Sequence, residues 1–484
     1  MLKKFFGFAL LLILMTSCLS LPDNAAIVDS MPPIYPDYTD ITIPQNIAPL
    51  NFLIRSDVDE TYVEVDGVCM SHRRGNEVIF EIDDWKRFIS NAVDTTLSVT
   101  VYTRSGGQWL KYKPFAWNVV SDSIDAFLTY RLIEPDYEIY QNIELRERCV
   151  ENFEERNIST YKIVGNRCMN CHTYSNRDAN RSMMYVRGEN GGAILNTNGI
   201  LRKLNIKTPE MVSPSVYFHF SPSGQYVAFS SNVIIPAFHS KPSKRLEVYD
   251  SKSDVYVADV EHNTIISSPL LSDSTTFETF PTFSPDGRYV YYCAAPLVDR
   301  VDKLQYSLCR IAFDETSGAF GNQVDTVIDA TNPAIVGKGS VCHPKISPDG
   351  RYLLYTVAAY GTFPIWHPEA DLQMLDLQIG KVDTLSIVNS AKSDTYHSWS
   401  SNSRWFVFAS KRDDGLYGKP YFCHLDEQGR VSKPFVLPQQ TPTFYDYNLK
   451  SFNIPELGRG KLPFTAEAVG RAMQLESEAF QFAN

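Results

Sequence analysis

Four segments of this chain can be laid over one another, and that repetition constrains the fold more than any other feature. They are Phe218-His-Phe-Ser-Pro-Ser-Gly-Gln-Tyr-Val-Ala-Phe229, Pro281-Thr-Phe-Ser-Pro-Asp-Gly-Arg-Tyr-Val-Tyr-Tyr292 and Pro344-Lys-Ile-Ser-Pro-Asp-Gly-Arg-Tyr-Leu-Leu-Tyr355. A degenerate fourth follows, His397-Ser-Trp-Ser-Ser-Asn-Ser-Arg-Trp-Phe-Val-Phe408. Their serines, Ser221, Ser284, Ser347 and Ser400, are spaced 63, 63 and 53 residues apart. Each unit reads as a strand, a tight turn and a second strand. Pro presets φ, and Gly supplies the positive φ that closes the connection. Between the units lie further strand-like runs, Val255-Tyr-Val-Ala-Asp259, Leu308-Cys-Arg-Ile-Ala312, Leu372-Gln-Met-Leu-Asp376 and Pro420-Tyr-Phe-Cys-His424. Hairpin plus hairpin makes a four-stranded blade, so the spacing predicts an all-β propeller.

In tandem, the Ser-Pro-Asp-Gly units resemble the TolB-like propeller repeats, relatives of the WD class, over roughly residues 215–435. Fainter copies extend upstream through 137–155, 165–186 and 193–201, with 109–131 as a first half-blade, which phases to about six blades. The propeller is expected over 121–450. Residues 45–120 alternate like a small β-sandwich, and 19–44, rich in Pro, Asp and Ser, read as a tether. The tail 451–484 carries Ala, Glu, Met and Leu at helical spacing over 464–482 and predicts a helix on the propeller rim.

One pentapeptide carries chemistry. Cys168-Met-Asn-Cys171-His172 is a C-x-x-C-H sequence of the type that attaches c-type haem. Two thiols three positions apart can add to the two vinyl groups of one porphyrin, and the adjacent imidazole can then ligate the iron. With nine Cys and nine His in 484 residues, random placement gives about 0.003 occurrences. Zinc ligation is one rival, but no second C-x-x-C or H-x-x-x-H completes a four-ligand set. A redox dithiol is another, but it lacks the βαβ context of a thioredoxin-like site.

Haem attachment of this kind requires export, and the N-terminus agrees. Lys3-Lys4, an apolar run over 5–15 and Thr16-Ser17-Cys18 read as a charged region, a short hydrophobic region and a cleavage site. The run is too short to span a bilayer. The cysteine after small residues resembles a bacterial lipoprotein signal, which implies that residues 1–18 form the signal and that Cys18 is lipidated. Met15 stands where such signals usually carry Leu; an ordinary signal peptide with Cys18 incidental is the other reading. No run of acids follows Cys18, so the expected location is a periplasm-facing lipid anchor, with cell-surface exposure as the alternative. The remaining cysteines fit no disulfide scaffold by spacing.

Propeller phasing places Cys171-His172 where other repeats carry His219, His343 and His397, near the axis on one face. His239 and His367 map to loops of that same face, His262 to the opposite face, His424 to a strand and His72 to the N-terminal domain. A loop histidine usually caps a turn; their collective placement suggests a haem pocket. Candidates for a sixth iron ligand are His219, His343, His397, Met169, Met183 and Met184, with His343 and His397 ranked first. Net charge is −11 with no block of like charge, which argues against nucleic acid as a partner. Phosphate loops, a G-x-S-x-G elbow and H-E-x-x-H are absent, and Arg412-Asp-Asp-Gly415 lacks the spaced ligands of a calcium loop. The expected protein is a membrane-tethered, monohaem c-type cytochrome on a propeller, passing single electrons to a docked redox partner. The alternatives are a protein-binding scaffold or sensor with structural haem, and a haem enzyme with an open iron site.

Overall fold

The computed structural model describes residues 22, 24–134, 142–238, 246–332 and 339–483. Six sheets, each built on four antiparallel strands and two of them with an added fifth, stand around one axis, in the all-β propeller architecture that the repeats predict. The innermost strands of five sheets are Met169–Ser175, Ser215–Phe220, Thr276–Phe283, Ser340–Ile346 and Asp394–Trp399. These lead blades 2 to 6. In blade 1 the innermost strand, Ser451–Gly458, comes from the far end of the chain and pairs antiparallel with Phe127–Ile133. Chain end thus closes on chain start. Glu144–Cys149 and Glu155–Thr160 complete that blade.

The repeated turn owes its sequence to one serine hydroxyl. Ser284 Oγ donates to Asp286 Oδ1 at 2.6 Å and accepts from the Tyr289 amide at 3.0 Å. Ser347 does the same with Asp349 at 2.5 Å and Tyr352 at 2.9 Å. Gly287 and Gly350 close these turns at φ +73° and +76°, where a Cβ is strained. In the degenerate copy Ser403 takes that position at φ +61°, and its hydroxyl accepts from the Asp349 amide of the neighbouring blade at 3.0 Å. These turns define the lower face of the ring. The innermost strands begin on the upper face.

Several segments differ from the expectation drawn from sequence. Of the 109–131 stretch only the end enters the propeller, in the blade 1 strand Phe127–Ile133; Gln108–Lys111 and Phe115–Val120 pair with the long strand Thr95–Ser105 of a separate seven-stranded sheet. Periodicity alone does not say which sheet a strand joins. Nor is 19–44 a loose tether from Ala26 onward. Ile41–Pro44 pairs in parallel with Phe115–Val120, Ile34–Tyr35 pairs with Phe52–Ile54, and Tyr38 is wholly buried. Apolar residues between the prolines pull this segment into the core. The N-terminal domain, with a second sheet of three strands and the helix Ile82–Ser90, shares one hydrophobic core with blades 1, 5 and 6. Its junction is also polar: Asp125 accepts from the Ser401 amide and hydroxyl, and Asp122 pairs with His424 at 2.8 Å.

The tail forms only a short helix, Ala466–Ala472, capped by Thr465. After it, Glu478–Ala479 and Gln481–Phe482 add parallel edge strands to blades 2 and 3. Exposed sheet edges compete for such a segment and win over its weak helical periodicity.

Candidate functional site

Each innermost strand carries a bulge in which two residues oppose one on the neighbouring strand. In blades 3 to 6 the inserted pairs are Tyr217-Phe218, Phe280-Pro281, His343-Pro344 and Tyr396-His397. In the closing strand the pair is Ile454-Pro455. The first residue of each pair has positive φ: +56° at Tyr217, +51° at Phe280, +53° at His343, +49° at Tyr396 and +51° at Ile454. None is glycine, so five strained residues ring the axis at one level, a clustering typical of functional sites. In blade 2 the register shift falls between Asn170 and Thr173, so the inserted pair is Cys171-His172. The pentapeptide is therefore that blade's version of the belt.

Ring contacts knit the belt together. The Phe280 and His343 centroids are 4.0 Å apart, Tyr217 and Phe280 4.5 Å, and His343 and Tyr396 4.9 Å. Above the belt lies a cavity of about 490 Å³, and Tyr217, Tyr396 and Ile454 form part of its floor. That is an ordinary volume for a small-molecule or cofactor site. Phe363, Ile365 and Trp366 from the blade 5 loop line it together with Phe452 and Ile143 of blade 1 and Ile234 and Val248 of blade 3. Cys168, half-buried, and Asn170 lie in the wall. Arg131, Arg167, Arg187 and Lys411 also line it, and Glu134 is the one acid among the described lining residues.

Beneath the cavity, His172, His343 and His397 border one small chamber of about 70 Å³ that shares the Tyr217, Tyr396 and Ile454 walls. His172 Nε2 is buried without a hydrogen bond, and burial together with the Arg131 charge pushes the imidazole pKa down to about 3. His397 Nε2–H donates to the Leu354 carbonyl at 2.9 Å, which leaves Nδ1 unprotonated and unpartnered. Burial holds this ring also at about 3. His343 Nε2 is a third buried nitrogen without a partner, and burial beside His397 and Lys345 holds the ring well below the usual range. All three imidazoles are neutral, the form that ligates metals.

The remaining candidates are placed elsewhere. His219 stands one step below the belt, opposite Ala228 as Thr173 is opposite Met183. It borders a separate chamber of about 120 Å³ nearer the lower face, and its Nδ1 accepts from the Phe283 amide at 3.1 Å. Met169 packs between blades 1 and 2, while Met183 and Met184 edge a cleft of about 20 Å³ that His172 also borders. His367 is tied to Glu369 at 2.9 Å, His262 is exposed beside Asp259, and His72 pairs with Glu60. His239 and Cys18 lie outside the described residues. Among the described residues no group of three or more His, Cys, Asp or Glu side chains is arranged to hold a metal ion. None of their helices is long and apolar enough to cross a membrane.

Sequence reading missed Lys411, Arg131 and the aromatic wall from the blade 5 loop. The bulges also escaped it, because they depend on cross-strand register.

No protein-family model matches the chain, and no curated protein matches it. Among solved structures it is similar to the tricorn protease, at 13% identity and TM-score 0.36, covering 71% of this chain and 34% of that one. It is also similar to prolyl oligopeptidase B from Galerina marginata, at 10% identity and TM-score 0.35, covering 77% and 44%. Oligogalacturonate lyase in complex with manganese matches at 14% identity and TM-score 0.27, covering 50% and 61%. The chain thus spans between about a third and three fifths of these proteins. Likeness at this level carries no functional argument; the strand order given above carries the fold.

Proposed function

We propose that this chain is an exported, lipid-anchored c-type cytochrome on a TolB-like propeller, with one haem held covalently through Cys168 and Cys171 in the axial cavity. The observation that carries this reading is the position of the pentapeptide. Cys168 stands in the wall of a cofactor-sized cavity, Cys171 takes a belt position in the strand register, and His172, whose Nε2 is buried and unpartnered, borders the chamber beneath. A buried ring nitrogen without a partner is costly, and a metal ion removes that cost.

The residues present fit such a group. Phe363, Trp366, Tyr217 and Phe452 offer apolar and aromatic walls, and among the described lining residues four are cationic and one is acidic. His172, His343 and His397, which border the same chamber, are the residues that would hold the iron. When bound, the haem supplies a reversible one-electron couple. The chain's own part is to exclude water from the belt, to keep His172 neutral and to present the cavity rim, which includes the exposed Asn166, to a redox partner. Export, which the attachment chemistry requires, is supported by the signal-like N-terminus and Cys18.

The test is to produce the full chain in a host that matures c-type cytochromes. Haem that stays with the polypeptide through denaturing electrophoresis, together with the absorption bands of a thioether-linked haem, is the expected result. A colourless protein that carries no haem when fully matured overturns the reading.

A further inference from the structure

Three lysines of the described chain are almost wholly buried, and they differ in how their charge is satisfied. Lys419 is paired with Asp413 at 2.5 Å and bonded to the Tyr35 hydroxyl at 2.7 Å. Lys203 donates to the carbonyls of Met473 at 3.1 Å and Leu475 at 3.3 Å. Lys411, only 5% exposed, makes no side-chain hydrogen bond and no ion pair among the described residues. Its ammonium lies 4.5 Å above the Trp366 ring in the cavity wall, and Asp414 acts on it only through space. Burial accordingly lowers its pKa to about 8.

In the wall of the same cavity Arg131 carries a buried Nε with no hydrogen-bond partner among the described residues. The other two cations are engaged. Arg187 lies 2.8 and 3.1 Å from the Asn170 amide, whose oxygen accepts both bonds once the amide is turned to face it, and Arg167 donates to the Asn190 carbonyl. A buried cation without a counter-charge is destabilising unless an anion arrives to meet it. Among the described residues no carboxylate pairs with Lys411, and the Trp366 ring lies beside it.

We propose that Lys411 and Arg131 are anchors for the carboxylates of a planar aromatic ligand, which makes the cavity selective for a ring that carries acid groups over its uncharged counterpart. This rests on the haem reading, since a haem carries two propionates, but it concerns different residues and a different measurement.

The experiment uses the full-length Cys168→Ala/Cys171→Ala chain, which cannot attach haem covalently. Haemin and haemin dimethyl ester are titrated into it under identical mild-detergent conditions, and affinity is read from absorption and quenching of tryptophan fluorescence. Haemin is expected to bind at least tenfold more tightly than its ester. Lys411→Met should erase most of that preference, Lys411→Arg should keep it, and Arg131→Met should erase part of it. Equal binding of acid and ester overturns the proposal. So does a Lys411→Met chain that unfolds at the parent temperature and still prefers the acid. If Lys411→Met does not fold, the acid-to-ester ratio of the parent and of Lys411→Arg decides. Binding of neither probe by a chain whose parent carries covalent haem overturns the anchors and leaves the haem reading standing. Absence of haem from the mature parent as well overturns both.

Discussion

His172 and His397 occupy the same bulge position, the former in blade 2 and the latter in blade 6, and both border one small axial chamber. His343 joins them from the preceding bulge position of blade 5. Each of the three has one buried nitrogen without a partner. The arrangement separates them from His219, whose Nδ1 is already bonded to the Phe283 amide in another chamber.

Substitutions at the pentapeptide should therefore separate haem from fold. Cys168→Ala with Cys171→Ala is expected to abolish haem staining after denaturing electrophoresis and to leave the β-sheet circular dichroism intact. The six blades are held by strand pairing and apolar cores, and those two side chains are not needed for the pairing. Haem that stays bound through denaturation in the double variant would refute the attachment.

Histidine substitutions should sort by chamber. His343→Ala or His397→Ala is expected to shift the absorption bands and raise carbon monoxide binding in the haem-loaded protein, since the proposed reading draws a second iron ligand from this pair. His219→Ala should leave the spectrum unchanged and lower thermal stability by about 1 kcal/mol through its lost hydrogen bond. A spectrum that responds to His219 alone would remove the chamber from the mechanism.

Membrane attachment is expected to depend on Cys18. Cys18→Ser should move the protein from the membrane to the soluble periplasmic fraction, since the short apolar run at 5–15 cannot hold a mature chain in a bilayer. Retention in the membrane after cleavage of the signal would assign the anchor to another element.

The turn glycines give a stability prediction that is independent of function. Gly350 has φ +76° and nothing within 4 Å of a Cβ, so Gly350→Ala should cost about 1–2 kcal/mol from backbone strain alone. Ser403→Gly relieves the same strain but loses the bond from the Asp349 amide, so its net effect should lie within about 0.5 kcal/mol of zero. Urea denaturation of the two variants checks both signs.

A buried acid sets one pH response. Asp250 accepts from Asn232 at 3.0 Å, Thr362 at 3.1 Å and Tyr306 at 3.3 Å, yet burial raises its pKa to about 6. The folded state therefore prefers the protonated acid more than the unfolded chain does. Its ionisation costs on the order of 3 kcal/mol at neutral pH, and that cost disappears as pH falls from about 7 toward 4. The stability of wild type relative to Asp250→Asn should rise over that interval. A flat difference would show that Asp250 does not titrate there.

Much of this was legible beforehand, and the reasons are local. Ser-Pro-Asp-Gly specifies its turn through a hydroxyl, a carboxylate and a positive-φ residue lying within five positions of one another. The pentapeptide was equally plain, being contiguous. Ser451–Gly458 was not, because it has no such turn and finds its partner, Phe127–Ile133, more than three hundred residues earlier. Lys411 sat unnoticed before Arg412-Asp-Asp-Gly415, whose acids serve the local structure: Asp413 pairs with Lys419, and Asp414 accepts from the Leu416 and Tyr417 amides. That an ammonium goes unmatched can be seen only once burial is known.

The strand that closes the ring also helps to make the cavity. Ser451, Phe452, Asn453 and Ile454 all line it, and Ile454 completes the belt beneath. Until Ser451–Gly458 has paired with Phe127–Ile133, the other innermost strands can stand in place while the chamber still lacks one side. A ligand too large to pass the finished rim would therefore have to enter before that last pairing, and the same pairing would then hold it in.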